Sequence, residues 1–167
     1  MKLIITKAFV AIAFLCLFAS CSQDELEVTP TEKENVEISA DLVVENGFAQ
    51  EVLAEINNYR SSIGLKSLAM NTDPKVQALN HTKYMASKNK ISHDNFFERS
   101  DYLKAKGAIT VSENVAFGYY TAEDVVKAWL NSPSHKKAIE GDFTHTGLSV
   151  VENERGVPYF TQIFIKK

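Results

Sequence analysis

The chain has 167 residues, with 18 basic and 21 acidic side chains, four histidines and two cysteines, and a net charge of −3. No basic stripe offers a nucleic-acid footprint, and two cysteines are too few for a disulfide-stapled scaffold. Stability must come from a packed core, and the residues after position 46 are enough for one domain.

The first twenty residues read as an export signal. Lys2 and Lys7 give a positive start, and Ala8 to Phe18 is an apolar run too short for a comfortable membrane span. Ala19 and Ser20 then precede Cys21. Phe18-Ala19-Ser20-Cys21 resembles a bacterial lipobox, which implies that Cys21 is acylated and becomes the first mature residue. The competing reading is an ordinary secretory signal cut nearby, leaving Cys21 as a free thiol. In either case Cys16 leaves with the signal, so no internal disulfide can form. Residues 22–46 hold Asp24, Glu25, Glu27, Glu32, Glu34, Glu37, Asp41 and Glu45 against Lys33 alone, a balance of −7. Residues 21–46 are therefore expected to be an acidic, extended linker behind the lipid. Acidic residues after a lipid-bearing cysteine also resemble the signals that carry some Gram-negative lipoproteins to the cell surface. The remainder, 47–167, is near neutral at about +2 and forms the domain.

Within that domain Phe48, Val52, Ile56 and Tyr59 recur at helical spacing, and Ser61 to Gly64 ends the helix. A second helix is expected to start with Asp73 as cap and Pro74 at the first helical position, burying Ala78, Leu79, Thr82, Met85 and Ala86. Phe96 to Lys106 gives a third helix closed by Gly107. Ile109, Val111, Glu113, Val115 and Phe117 alternate as one face of a strand. Thr121 and Asp124 form a capping-box start for a fourth helix that buries Val125, Val126, Trp129 and Leu130. Thr146, Leu148 and Val150 alternate, and so does Tyr159 to Ile165, with Asn153 to Gly156 as the turn of a hairpin between them. Helices mixed with strands in this order predict an α+β fold, an α-β-α sandwich with a small antiparallel sheet flanked by helices.

Three residues stand out chemically. Glu113 occupies the apolar parity of its strand, and an isolated buried carboxylate would lose several kcal/mol, so it needs a partner, most simply a histidine. The alternative is that the strand ends at Ser112 and Glu113 turns to solvent. Ser132-Pro133 reads as a helix cap followed by proline, which puts His135 in the first helical turn. There the helix dipole keeps the imidazole neutral, able to bind metal or accept a proton, unless His135 is simply a surface residue beside Lys136 and Lys137. His93 lies just past the second helix, where a loop can aim it into a cleft. His81 reads as half-buried packing, and His145 as a secondary candidate. The chain has no His-Glu-x-x-His helix, phosphate-binding glycine loop, nucleophile elbow or cysteine-pair zinc pattern. Ser132 and Ser134 are explained more simply by capping than as nucleophiles.

Taken together these segments resemble the CAP domains of cysteine-rich secretory, venom-allergen and pathogenesis-related proteins, in a bacterial, disulfide-free form. The resemblance spans about residues 48–165. It is carried by Leu53 to Leu68, Ile91-Ser92-His93, Ser112 to Gly118, Trp129 with Ser132-Pro133-Ser134-His135, Thr146 to Val150, and Tyr159 to Phe164. It implies a sandwich with a central cleft, which in many members is lined by two histidines and two glutamates able to hold zinc. His93 matches the first histidine and Glu113 the first glutamate. Ser132 stands where the second glutamate would be, and the strand motif bearing the second histidine is missing. His135 is expected to fill nearby space without matching residue for residue.

The expectation is therefore an exported CAP domain, lipid-anchored through Cys21 to the outer membrane or cell surface, or else periplasmic or secreted and soluble. It would bind a lipid, peptide or protein through a cleft of His93, Glu113, His135, Asn114 and Ser132, without catalysis, without nucleic acid and as a monomer. Zinc or another divalent ion would be held by His93, His135 and Glu113. Two alternatives share the cleft: a metal-assisted hydrolase in which Glu113 is a ligand or base, and a purely structural polar core.

Overall fold

A computed structural model of the chain describes residues 47–167. The expected export signal, Cys21 and the expected acidic linker lie outside the described residues. Residues 47–62 are helical (α1). Then follow β1 (Ala69–Met70), α2 (Thr72–Lys88), α3 (Phe96–Ala105), β2 (Thr110–Phe117), α4 (Ala122–Asn131), α5 (Pro133–Ile139), β3 (His145–Glu152) and β4 (Pro158–Lys166).

The local chemistry explains most boundaries. Gly64, at φ +79°, ends α1 by letting the Leu65 N–H reach back to the Arg60 carbonyl. Gly107, at φ +95°, does the same for α3. The Thr121 hydroxyl accepts from the Asp124 N–H and donates to the Asp124 carboxylate, as the capping pattern predicts. At α2 the expectation was wrong by two residues. Asn71 is the cap, accepting from the Asp73 N–H, and Pro74 sits inside the first turn, where its missing N–H costs nothing.

The sheet order is β1-β3-β4-β2. β3 and β4 form the expected antiparallel hairpin, and β4 pairs β2 antiparallel with Glu113 opposite Ile163. The sheet is nevertheless mixed, because β1 pairs parallel with β3. A two-residue strand has no periodicity, which is why the sequence pattern missed it. α1, α4 and α5 cover one face, packing Val52, Ile56, Trp129 and Ile139 around Phe160 and Phe164. α2 and α3 cover the other through Ala78, Leu103 and Met85 against Ile163, Ile165 and Tyr159. Alternating residues of β4 thus serve two separate cores, completing the α-β-α sandwich.

Two close approaches hold the layers in place. A Cβ on Gly147 would lie 2.1 Å from the Pro74 carbonyl carbon and the Lys75 nitrogen, so only glycine lets α2 cross β3 there. Arg60, 2% exposed, donates to the carbonyls of Lys66, Ile139, Gly141 and Phe143, tying α1 to the end of α5 and the entry to β3. Burial pulls its guanidinium below the usual arginine range, while nearby Asp142 opposes that shift.

β2 departs from the simple alternation expected of it. Its middle is buried on both faces, with Glu113 and Val115 on one side and Asn114 and Ala116 on the other. Ile109 and Phe117, assigned to the buried parity, are 67% and 50% exposed at the two ends. The strand lies at the edge of the sheet.

Candidate functional site

Glu113 does point into the interior, from the middle of β2 toward α2 and α3. Its side chain is 1% accessible and is held on both oxygens by Arg99 from α3. Arg99 Nε donates to Oε2 and Nη2 to Oε1, each at 2.9 Å, a bidentate fork. Arg99 Nη1 also donates to the Asp94 carbonyl at 2.7 Å, so the same guanidinium pins the loop between α2 and α3. Sequence reading missed Arg99 altogether. The available signal was its position four residues before Leu103 on the buried stripe of α3, opposite a carboxylate that needed a partner.

His93 sits in that loop. Its Nδ1 lies 2.8 Å from Glu113 Oε1, and because a carboxylate only accepts, Nδ1 carries the proton. The ring is 53% accessible, so its other nitrogen is presented outward from a fixed pose. His81, expected to be half-buried packing, is a full member of the cluster. It is 4% exposed, its Nε2 donates to the Ser92 carbonyl at 2.8 Å, and it lies 3.9 Å from Glu113 Oε1. Burial is the main force lowering its pKa; the Ser92 bond and the Glu113 charge pull the other way. A hydrogen bond from Tyr84 to Asp94 completes the fastening of the loop.

The other predicted residues divide. Asn114 turns to the opposite face and donates to the His135 carbonyl at 3.1 Å, joining β2 to α5. His135 is in the first turn of α5 as expected, and its pKa is lowered, first by burial and then by the charge of His93. The two histidines therefore approach the same strand edge from opposite faces of the sheet. Ser132 begins α5 without a side-chain cap bond; its hydroxyl meets only that of Ser134, at 3.3 Å. His145 is bonded to Thr144 at the start of β3, two strands away from β2.

The fit to a metal ion is poor. Among the described residues no group of three or more His, Cys, Asp or Glu side chains is arranged to hold a metal ion. Both Glu113 oxygens are occupied by a guanidinium, whose charge opposes a cation at the same place. His93, Glu113 and His135 do not gather as one ligand set. What the cluster can do is fix one exposed imidazole against a buried, charge-matched base.

Three layers around a four-stranded sheet, with this histidine–glutamate–arginine cluster at its edge strand, define a CAP-type domain. The chain belongs to the cysteine-rich secretory protein (CAP) family, whose pattern it matches over residues 53–164. It is 33% identical over 156 residues to the uncharacterised protein YkwD of Bacillus subtilis, covering 89% of this chain and 59% of that one. The chain thus spans less than two thirds of this relative. An extracellular protein with an SCP domain from Bacillus anthracis superposes with a TM-score of 0.65 at 28% identity, over 84% of this chain and 44% of the other. An outer surface protein from Borrelia burgdorferi gives 0.63 at 23%, over 77% and 93% respectively, and shares the fold.

The lowered pKa values of His81 and His135 set a direction for stability against pH. A histidine that is harder to protonate when folded takes up protons preferentially in the unfolded chain as pH falls below about 6.5. Stability is thus full above that pH and is lost as pH falls toward the folded values. Urea unfolding at pH 7.5 and 5.5 is expected to show a lower free energy at the acid end, and a smaller drop in His81→Gln. An acid-end loss unchanged by His81→Gln contradicts the assignment.

Proposed function

We propose that this CAP domain is an exported, surface-associated binding module whose cleft is built around His93, and that it performs no catalysis there. The observation that carries this reading is the saturation of Glu113. A carboxylate already accepting from both Arg99 nitrogens and from His93 is not placed to act as a base toward a substrate. The hydroxyls of Ser132 and Ser134 bond each other, and neither has an imidazole partner to activate it. His93 remains as an oriented, accessible ring able to hydrogen-bond or stack on a ligand. The extracellular and outer-surface origin of the structural relatives supports export. The ligand class in this reading is a lipid, peptide or protein met outside the cytoplasm.

Protein-observed NMR of the Cys21→Ser chain titrated with short-chain lipids and capped pentapeptides tests this reading, with fluorescein-labelled casein as a turnover probe. Binders are expected to move the His93 ring resonances and to lose affinity by roughly tenfold or more, about 1.4 kcal/mol, in His93→Gln, with no casein hydrolysis. Casein hydrolysis abolished by His93→Gln would establish the hydrolase reading instead. Binders that ignore His93 would leave the cluster a purely structural one.

Anchoring through Cys21 belongs to the same proposal, supported by the lipobox-like Phe18-Ala19-Ser20-Cys21. Expressed in a Gram-negative host, the natural chain should fractionate with membranes and incorporate labelled palmitate, while Cys21→Ser should be released as soluble protein. Soluble behaviour of both forms rules the anchor out.

A further inference from the structure

β2 is an edge strand, and part of its outer side is open. In an antiparallel ladder, alternate residues aim both backbone groups at the partner strand. The Gly118 N–H donates to the Pro158 carbonyl in step with the β2–β4 register, so the even-numbered residues of β2 face β4. The odd-numbered residues Val111, Glu113 and Val115 therefore aim their N–H and carbonyl groups outward. At Val115 the edge is closed, because Trp129 Nε1 donates to its carbonyl at 3.2 Å. Upstream of it, none of the hydrogen bonds found among the described residues reaches the outward groups of Val111 or Glu113. Glu113 shows the opening directly. The residue is 9% exposed but its side chain only 1%, so what solvent reaches is its main chain.

Beside this open stretch lies a groove of about 680 Å³. Thr110 and Ser112 line the strand side, Ser134 and Lys137 of α5 the opposite wall, and Phe143 and Lys166 one end. Lys136 is paired with Glu140 and Lys166 with Asp142, whereas Lys137 has no carboxylate partner among the described residues. The outward backbone groups of Val111 and Glu113, with an unmatched cation on α5 across the neighbouring groove, select for a particular shape and charge. The matching partner is an extended chain with a carboxylate on the side that faces α5.

We propose that the open edge of β2 at residues 110–113 binds an extended peptide segment of another protein. The peptide adds as a fifth strand, with one acidic side chain reaching Lys137. This rests on the binding-module reading and names its ligand class. Backbone pairing with Val111 and Glu113 would supply affinity and the carboxylate would set the register. The peptide would lie along the same edge that His93 and His135 approach from either face. Trp129 would stop it from extending past Val115.

The probe is a capped, fluorescein-labelled hexapeptide of alternating threonine and valine with one central glutamate, titrated into the Cys21→Ser chain by fluorescence anisotropy. Saturable binding is expected. Methylating the alternate amide nitrogens that face β2 should weaken it by at least tenfold, and methylating the intervening ones should not. Replacing the glutamate by glutamine should weaken binding several-fold in the natural protein and make no difference in Lys137→Gln. Val111→Pro removes an outward N–H while leaving the β4 ladder intact, and should weaken binding as methylation does. Should that variant fold poorly, the methylated peptides give the same information. No binding of the probe below about 1 mM, or equal binding of both methylated series, overturns the proposal. A dimer in sedimentation that Val111→Pro abolishes overturns it too, since the edge would then be occupied by a second copy. Loss of binding in His93→Gln with no preference between the methylated series would leave the binding module standing and remove only the edge pairing.

Discussion

A carboxylate and a guanidinium, both nearly sealed from solvent, meet through two parallel hydrogen bonds between β2 and α3, and the rest of the site depends on them. Removing either partner would leave a buried charge unmatched, at a cost of about 3–5 kcal/mol. That cost makes the pair a constraint on position as well as a contact. Glu113 has to face the α2–α3 layer, Arg99 has to lie on the inner stripe of its helix, and the intervening loop is drawn in because Arg99 also holds the Asp94 carbonyl. His93 inherits its orientation from that loop and from Glu113 itself. Buried pairs of this kind add little net stability over a well-packed apolar alternative, so their value here is the geometry they enforce.

The same saturation decides what the cluster does chemically. A histidine beside a carboxylate suggests an acid–base pair or a metal site when only the two residues are seen. With Arg99 in place, the carboxylate's capacity is spent on fixing the ring, and the guanidinium charge opposes a cation beside it. Ser132, where the family resemblance would place a second glutamate, has its hydroxyl bonded to that of Ser134. The arrangement leaves an exposed imidazole beside the edge strand and a lysine-bearing groove near its start, which fits the proposed binding role.

Much of this was legible in the sequence because local chemistry dictated it. The Thr121–Asp124 capping pair, the glycines after α1 and α3, and the Asn153 to Gly156 turn each solve a local backbone problem that only certain residues can solve. Glu113 could be placed inward because strand parity left a charge on the apolar face. The features that escaped were set by partners distant in the chain. Arg99 looks like one more surface charge on a polar helix until β2 is laid against it. His81 is indistinguishable from packing until the loop carrying Ser92 folds over it. β1 exists because the carbonyls of Thr144, just before β3, and of Thr146 within it accept from the Ala69 and Asn71 N–H groups. The Asp73-Pro74 start misled because Asn71, two residues earlier, caps equally well and lets Pro74 fall harmlessly within the first turn.

The claim on which the account turns is that Glu113 fixes the His93 ring by accepting a proton bond from Nδ1. Long-range ¹H–¹⁵N spectra of the imidazoles in the Cys21→Ser protein, at about pH 8 where histidines are neutral in the unperturbed case, read this directly. The predicted result is a His93 ring protonated at Nδ1, with Nε2 bare and facing solvent. A His93 ring whose Nδ1 carries no proton would contradict the account.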